Sequence, residues 1–64
     1  MTNRFREIDD LVLTLKGLVL VRELLEGRGA HAADIQAHDD EIERVRERLA
    51  GAVRETCAAY SAAA

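Results

Sequence analysis

The stretch from Leu11 to Leu25 constrains the fold of this chain more than any other part of the sequence. Ten of its fifteen residues are Leu or Val. At about 100° per residue in a helix, one stripe holds Leu11, Leu15, Leu18 and Leu25 with Val12 and Val19 beside it, and the opposite side holds Leu13, Leu20 and Leu24. A helical hairpin buries one stripe per helix. The second apolar side therefore predicts that another chain completes the core.

The size of the chain supports the same expectation. Sixty-four residues allow one small domain, and small domains usually need disulfides, a metal or oligomerisation to be stable. Cys57 is the only cysteine, so an internal disulfide is excluded, and we expect a reducing, cytoplasmic location. The apolar run is too short to span a membrane and contains Lys16. The acidic residues just before it argue against a signal peptide.

Two long helices are predicted, separated by the break at Gly27-Arg28-Gly29. We expect a first helix over about 3–26, capped by Thr2 or Asn3, a turn over about 27–31, and a second helix over about 32–60. Either glycine of the break can take the positive φ that ends a helix. The second helix carries a heptad-like seam formed by Ile35, His38, Ile42, Val45, Leu49, Ala52, Val53 and Tyr60.

These observations predict an all-α fold, an antiparallel two-helix hairpin that dimerises into a four-helix bundle with the first helices innermost. A β-hairpin over residues 11–22, turning at Lys16-Gly17, is the alternative, because Val and Thr are frequent there. The lack of polar alternation argues against it. In a helix, Gly17 costs up to about 1 kcal/mol relative to Ala, and we interpret it as a point where a second helix approaches closely.

Asp34, His38 and Glu41 form a weak candidate metal site, because they share one face of the second helix and carboxylates and imidazole bind divalent metals. A seam histidine paired with Asp34 explains the same pattern. Arg22 falls on the Leu11 stripe, and we expect it to pair with an acid on a neighbouring helix.

The arginines of the second helix are the candidates for nucleic-acid binding: Arg44, Arg46, Arg48 and Arg54. They alternate with acidic residues, and the net charge of the chain is −3, so the sequence argues against binding that depends on phosphate contacts. Cys57 is interpreted as a small buried side chain beside the seam.

The segment from Arg6 to Leu11 resembles the start of the first helix in the all-helical chorismate mutases, and residues 40–49 faintly resemble part of their second helix. That family implies a third helix and several cationic side chains converging on a dicarboxylate. The predicted hairpin has no third helix, and the matching positions after the segment are mostly apolar. The resemblance therefore does not extend to the catalytic residues.

The function expected by elimination is a small non-enzymatic assembly or regulatory module that needs no cofactor and acts through its helices. Its partner is a second copy or another helical protein. The alternatives are a metal-binding or enzymatic bundle around His38 and a nucleic-acid-binding dimer. The expected interface consists of Ile8, Leu11, Val12, Leu15, Leu18, Val19, Leu25, Ile42, Val45 and Leu49.

Overall fold

The chain forms two helices that pack against each other, α1 (Arg4–Gly27) and α2 (Ala32–Ala63). The computed structural model describes residues 4–63, and side chains over residues 5–61. The expected caps Thr2 and Asn3 lie outside the described residues. The all-α hairpin is confirmed, and the alternative β-hairpin over residues 11–22 is wrong, because that stretch is helical throughout. α2 continues three residues past its expected end, through Ser61 and two alanines, and alanine is the strongest helix former.

The turn between the helices is closed by backbone hydrogen bonds. Gly29 has a φ of 71°, a left-handed conformation that favours glycine. Its N–H donates to the carbonyl of Glu26 at 3.1 Å, and the N–H of Ala30 donates to the carbonyl of Leu25 at 3.0 Å. These two bonds are the Schellman arrangement, which satisfies the last carbonyls of a helix. Of the two glycines expected to end the helix, Gly29 takes this position.

The core lies along a single seam between the helices. Its buried apolar side chains are Leu11 of α1 and Ile42 and Val45 of α2, and each of the three is less than a tenth exposed. The helices run antiparallel, because Arg22 contacts Asp39 near the turn and the Phe5 and Tyr60 rings meet at the far end, with centroids 6.0 Å apart.

The far end of the seam differs from the sequence prediction. Thr56 is buried, and its hydroxyl donates to the carbonyl of Ala52 at 2.9 Å. Val53, Cys57 and Tyr60 are exposed, so the interpretation of Cys57 as a buried side chain is wrong. The reason is the spacing of the buried stripe, which advances by three and four residues in turn through Val45, Leu49, Ala52 and Thr56. Val53, Cys57 and Tyr60 lie off this stripe. Within residues 4–63, neither helix has a long enough apolar stretch to cross a bilayer.

Candidate interaction surface

The side of α1 that faces away from α2 is apolar and open to solvent. Its large side chains are exposed over 66% at Leu13, 57% at Leu20, 42% at Val21 and 57% at Leu24. Together with Gly17, which is also exposed, these residues are called the outer face of α1. Soluble monomers seldom expose large contiguous apolar patches, and such patches commonly mark interaction sites.

The outer face has the spacing of a helix-packing seam. Leu13, Gly17, Leu20 and Leu24 follow one another at intervals of four, three and four residues. This is the interval pattern that keeps one stripe of a helix facing a partner helix. α2 does not occupy it, because α2 contacts the opposite side of α1, around Leu11.

Gly17 is not explained by packing within the hairpin. A Cβ added at this position would meet no atom within 4 Å, so α2 does not approach α1 there. The expected close approach of a second helix at Gly17 is therefore not made by α2. A glycine in the middle of a helix costs up to about 1 kcal/mol relative to Ala, and nothing in the described hairpin offsets that cost.

The residues expected at the interface lie mostly on the other side of α1 and along α2. Leu11, Ile42 and Val45 form the core of the hairpin. The half-buried remainder consists of Ile8, Val12, Leu15, Leu18, Val19, Leu25 and Leu49. The outer face contributes none of the ten, although its opposite-side leucines are visible in the sequence. Its spacing of four, three and four residues is the signal that identifies it.

Arg22 joins the two helices beside the turn. Its guanidinium donates to Asp39 of α2 and also, at 2.7 Å, to Glu26 of α1. The predicted pairing of Arg22 with an acid on a neighbouring helix is confirmed. The hydrogen bond to Asp39 raises the pKa of Arg22 above its usual value, and this effect is larger than the opposing effect of desolvation. The charges of Asp39 and Glu26 raise the pKa further. The arginine therefore stays charged and ties α2 to the inner side of α1.

The candidate metal ligands are not brought together. Asp34 is exposed, whereas His38 and Glu41 are half-buried. No cluster of three or more His, Cys, Asp or Glu side chains suitable for a metal ion occurs among the described residues. The Nε2 atom of His38 is buried and has no hydrogen-bond partner in the described part of the chain. The expected pairing of His38 with Asp34 is therefore not observed.

The arginines of α2 do not converge on one site. Arg44 lies against Glu41 at 2.7 Å, and Arg44, Arg46, Arg48 and Arg54 are all exposed. Arg48 borders an open groove of about 650 Å³ at the middle of the hairpin, floored by Leu11 and Val45. Arg6, Glu7, Asp10, Thr14 and Glu41 complete its lining. Three acids and two bases line this groove, so it has no dominant charge with which to attract an ionic substrate.

Comparison of the chain with protein-family models, with curated proteins and with solved structures yields no match. The candidate site therefore rests on the geometry of the hairpin itself. Within that geometry, the outer face of α1 is the feature that the intramolecular packing leaves unexplained.

Proposed function

We propose that this chain is a non-enzymatic interaction module that assembles with a helical partner through the outer face of α1. The observation that carries the proposal is the exposure of Leu13, Leu20 and Leu24 on a single stripe of a helix whose other side is already packed. An apolar helix face with this periodicity is the kind of surface that binds a helix or a helical groove.

The two helices differ in the number of apolar sides that each must bury. α2 has one apolar seam, and α1 covers it. α1 has two apolar sides, and α2 covers only one of them. A two-helix hairpin also has a small core and little stability to spare. Burying the outer face against a partner removes apolar surface from water, and so it stabilises the hairpin together with the complex.

Assembly or regulation by helix pairing requires no cofactor. The partner is either a second copy of the chain, giving a dimeric four-helix assembly with the first helices innermost, or a different helical protein. A cytoplasmic location fits the single cysteine, because a lone thiol needs no oxidising compartment.

Site-specific photo-crosslinking in host cells tests the proposal. A photo-reactive amino acid in place of Leu20 should give one defined adduct, either with the chain itself or with one other protein. The matched control places it at Val53, an exposed apolar residue of α2 that lies outside the outer face. Adding Leu13→Asp should abolish the adduct at position 20, because a carboxylate buried in an apolar interface is strongly unfavourable.

The proposal is wrong if position 20 forms no specific adduct, or if positions 20 and 53 form the same ones. It is also wrong if Leu13→Asp leaves the adduct at position 20 unchanged while circular dichroism shows that the variant is folded.

A further inference from the structure

We propose, building on the function above, that the partner of the outer face is a second copy of this chain, with the two α1 helices antiparallel across a two-fold axis between Gly17 and Leu20. The proposal rests on the sizes of the side chains along the outer face and on the charges at its two edges.

The sizes of the side chains are complementary in one antiparallel register. When Leu20 lies opposite Gly17 of the second copy, the two-fold axis places Gly17 opposite the other Leu20 and Leu13 opposite Leu24 of the second copy. Each large side chain at the centre then meets a glycine, whose position is open in the hairpin, with no atom within 4 Å of an added Cβ. Such alternation of large and small residues lets helices approach closely. It supplies the stabilisation that offsets the helical cost of Gly17.

The same register pairs opposite charges at the ends of the interface. Asp10 lies beyond Leu13, and Arg28 follows directly after α1 ends. The N–H of Arg28 still donates to the carbonyl of Leu24 at 3.1 Å, so Arg28 continues the path of the helix. The two residues are eighteen positions apart, about five helical turns, and so they share one edge of the outer face. In the antiparallel pair, Asp10 lies over Gly27 of the second copy and beside its Arg28, and the symmetry forms this contact twice.

The opposite edge carries a second complementary pair. Lys16 and Glu23 are seven residues apart, and both are exposed. Antiparallel packing brings like edges together, so Lys16 of one copy faces Glu23 of the other. None of the four charged residues, Asp10, Lys16, Glu23 and Arg28, takes part in an ion pair within the described part of the hairpin. All four are therefore available to pair between copies.

A parallel pair of α1 helices is disfavoured by the sizes of the side chains along the outer face. It sets Gly17 against Gly17 and Leu20 against Leu20 of the second copy, so that the small residues and the large residues fall in separate layers. The sizes of the side chains therefore favour the antiparallel arrangement.

Charge reversal tests the register through sedimentation equilibrium of the full-length chain at low ionic strength. The wild type should be a dimer. Asp10→Arg and Arg28→Asp should each weaken the dimer by about tenfold, because in each variant two attractive contacts between exposed charges become repulsive. An equimolar mixture of the two variants should recover association, because each restores the charge that the other lacks. Arg46→Asp, which reverses an exposed arginine of α2, serves as the control and should leave the association unchanged.

The effect of each reversal should shrink in high salt, since exposed charges are screened. A wild-type chain that is monomeric at every concentration overturns the inference, whereas a crosslink from position 20 to a different protein would still support the proposed interaction function. A dimer that both single reversals leave unaffected, or a mixture that fails to recover, shows that the antiparallel register is wrong.

Discussion

Leu11→Ala and Leu13→Ala apply the same chemical change at two sites of one helix, and they should have very different effects on the stability of the hairpin. Leu11 is 7% exposed and Leu13 is 66% exposed. Replacing a buried Leu by Ala generally costs about 2–5 kcal/mol. We expect about 2–3 kcal/mol for Leu11, because the neighbouring positions of a two-helix core are half-buried and can relax into the space.

The cost at Leu13 in the isolated hairpin should be less than about 1 kcal/mol. Full burial of a Leu side chain is worth about 1.5–3 kcal/mol, and only about a third of Leu13 is hidden. Alanine also has the higher helix propensity, which offsets part of the loss. If the outer face binds a second copy, however, Leu13→Ala should also lower stability at high protein concentration, where the dimer forms.

Urea denaturation of both variants and the wild type, at two protein concentrations a hundredfold apart, measures these differences. Leu11→Ala should lower the unfolding free energy at both concentrations, and Leu13→Ala chiefly at the higher one. If Leu11→Ala is too unstable to measure, Ile42→Val offers a smaller change at another core position, about 0.5–1.5 kcal/mol. Equal effects of Leu11→Ala and Leu13→Ala at low concentration would refute the assignment of inner and outer sides of α1.

Three further predictions concern the turn, the contact beside it and the far end of the seam. Gly29→Ala should destabilise the hairpin by about 1–2 kcal/mol in thermal unfolding, because the left-handed backbone at Gly29 disfavours a Cβ. Gly27→Ala, the matched change within α1, should stabilise the hairpin by up to about 1 kcal/mol, because alanine favours the helix. The raised pKa of Arg22 means that its contact with Asp39 is lost only at pH values above the usual arginine range. The stability difference between wild type and Arg22→Met should therefore be constant from about pH 6 to 9 in denaturant titrations; a decline across that interval would contradict the assignment. Thr56→Val should change the unfolding free energy by less than about 1 kcal/mol, because the hydroxyl donates only within α2 and the methyl groups of Val fill about the same volume. A larger loss of stability in circular dichroism melting would show that the hydroxyl stabilises the packing between the helices.

The seam of α2 was largely predictable from the sequence because residue spacing determines which positions of a helix share one side. Ile42, Val45 and Leu49 follow that spacing and are buried or half-buried. The prediction fails at positions where residue type and spacing disagree. Tyr60 is apolar but off the stripe, whereas Thr56 is polar, lies on the stripe and is buried with its hydroxyl satisfied by its own helix.

The division of α1 into an inner and an outer side was less predictable. Leucines occur on both sides of the helix, and hydrophobicity alone does not determine which side α2 covers. The charged residues carry part of that information. Arg22 lies on the inner stripe, and its contact with Asp39 places the Leu11 side against α2. Gly17 lies on the outer side, where no atom of the hairpin approaches it. Arg22, which pairs with an acid of α2, therefore marks the inner side of α1. Gly17, which no other helix approaches, marks the outer side.

This division also determines the shape of any assembly that uses both sides of α1. The inner and outer sides are nearly opposite each other around the helix, so a second copy bound at Leu20 cannot also contact the first copy's α2 around Ile42. The helices would then lie side by side in the order α2, α1, α1, α2, with neighbours about 8–10 Å apart. In a square four-helix bundle, by contrast, each helix contacts two neighbouring helices, on sides that lie roughly 90° apart around its axis. The opposed faces of α1 therefore favour a flat four-helix layer, in which the first helices are innermost and each α2 keeps its charged side in solvent.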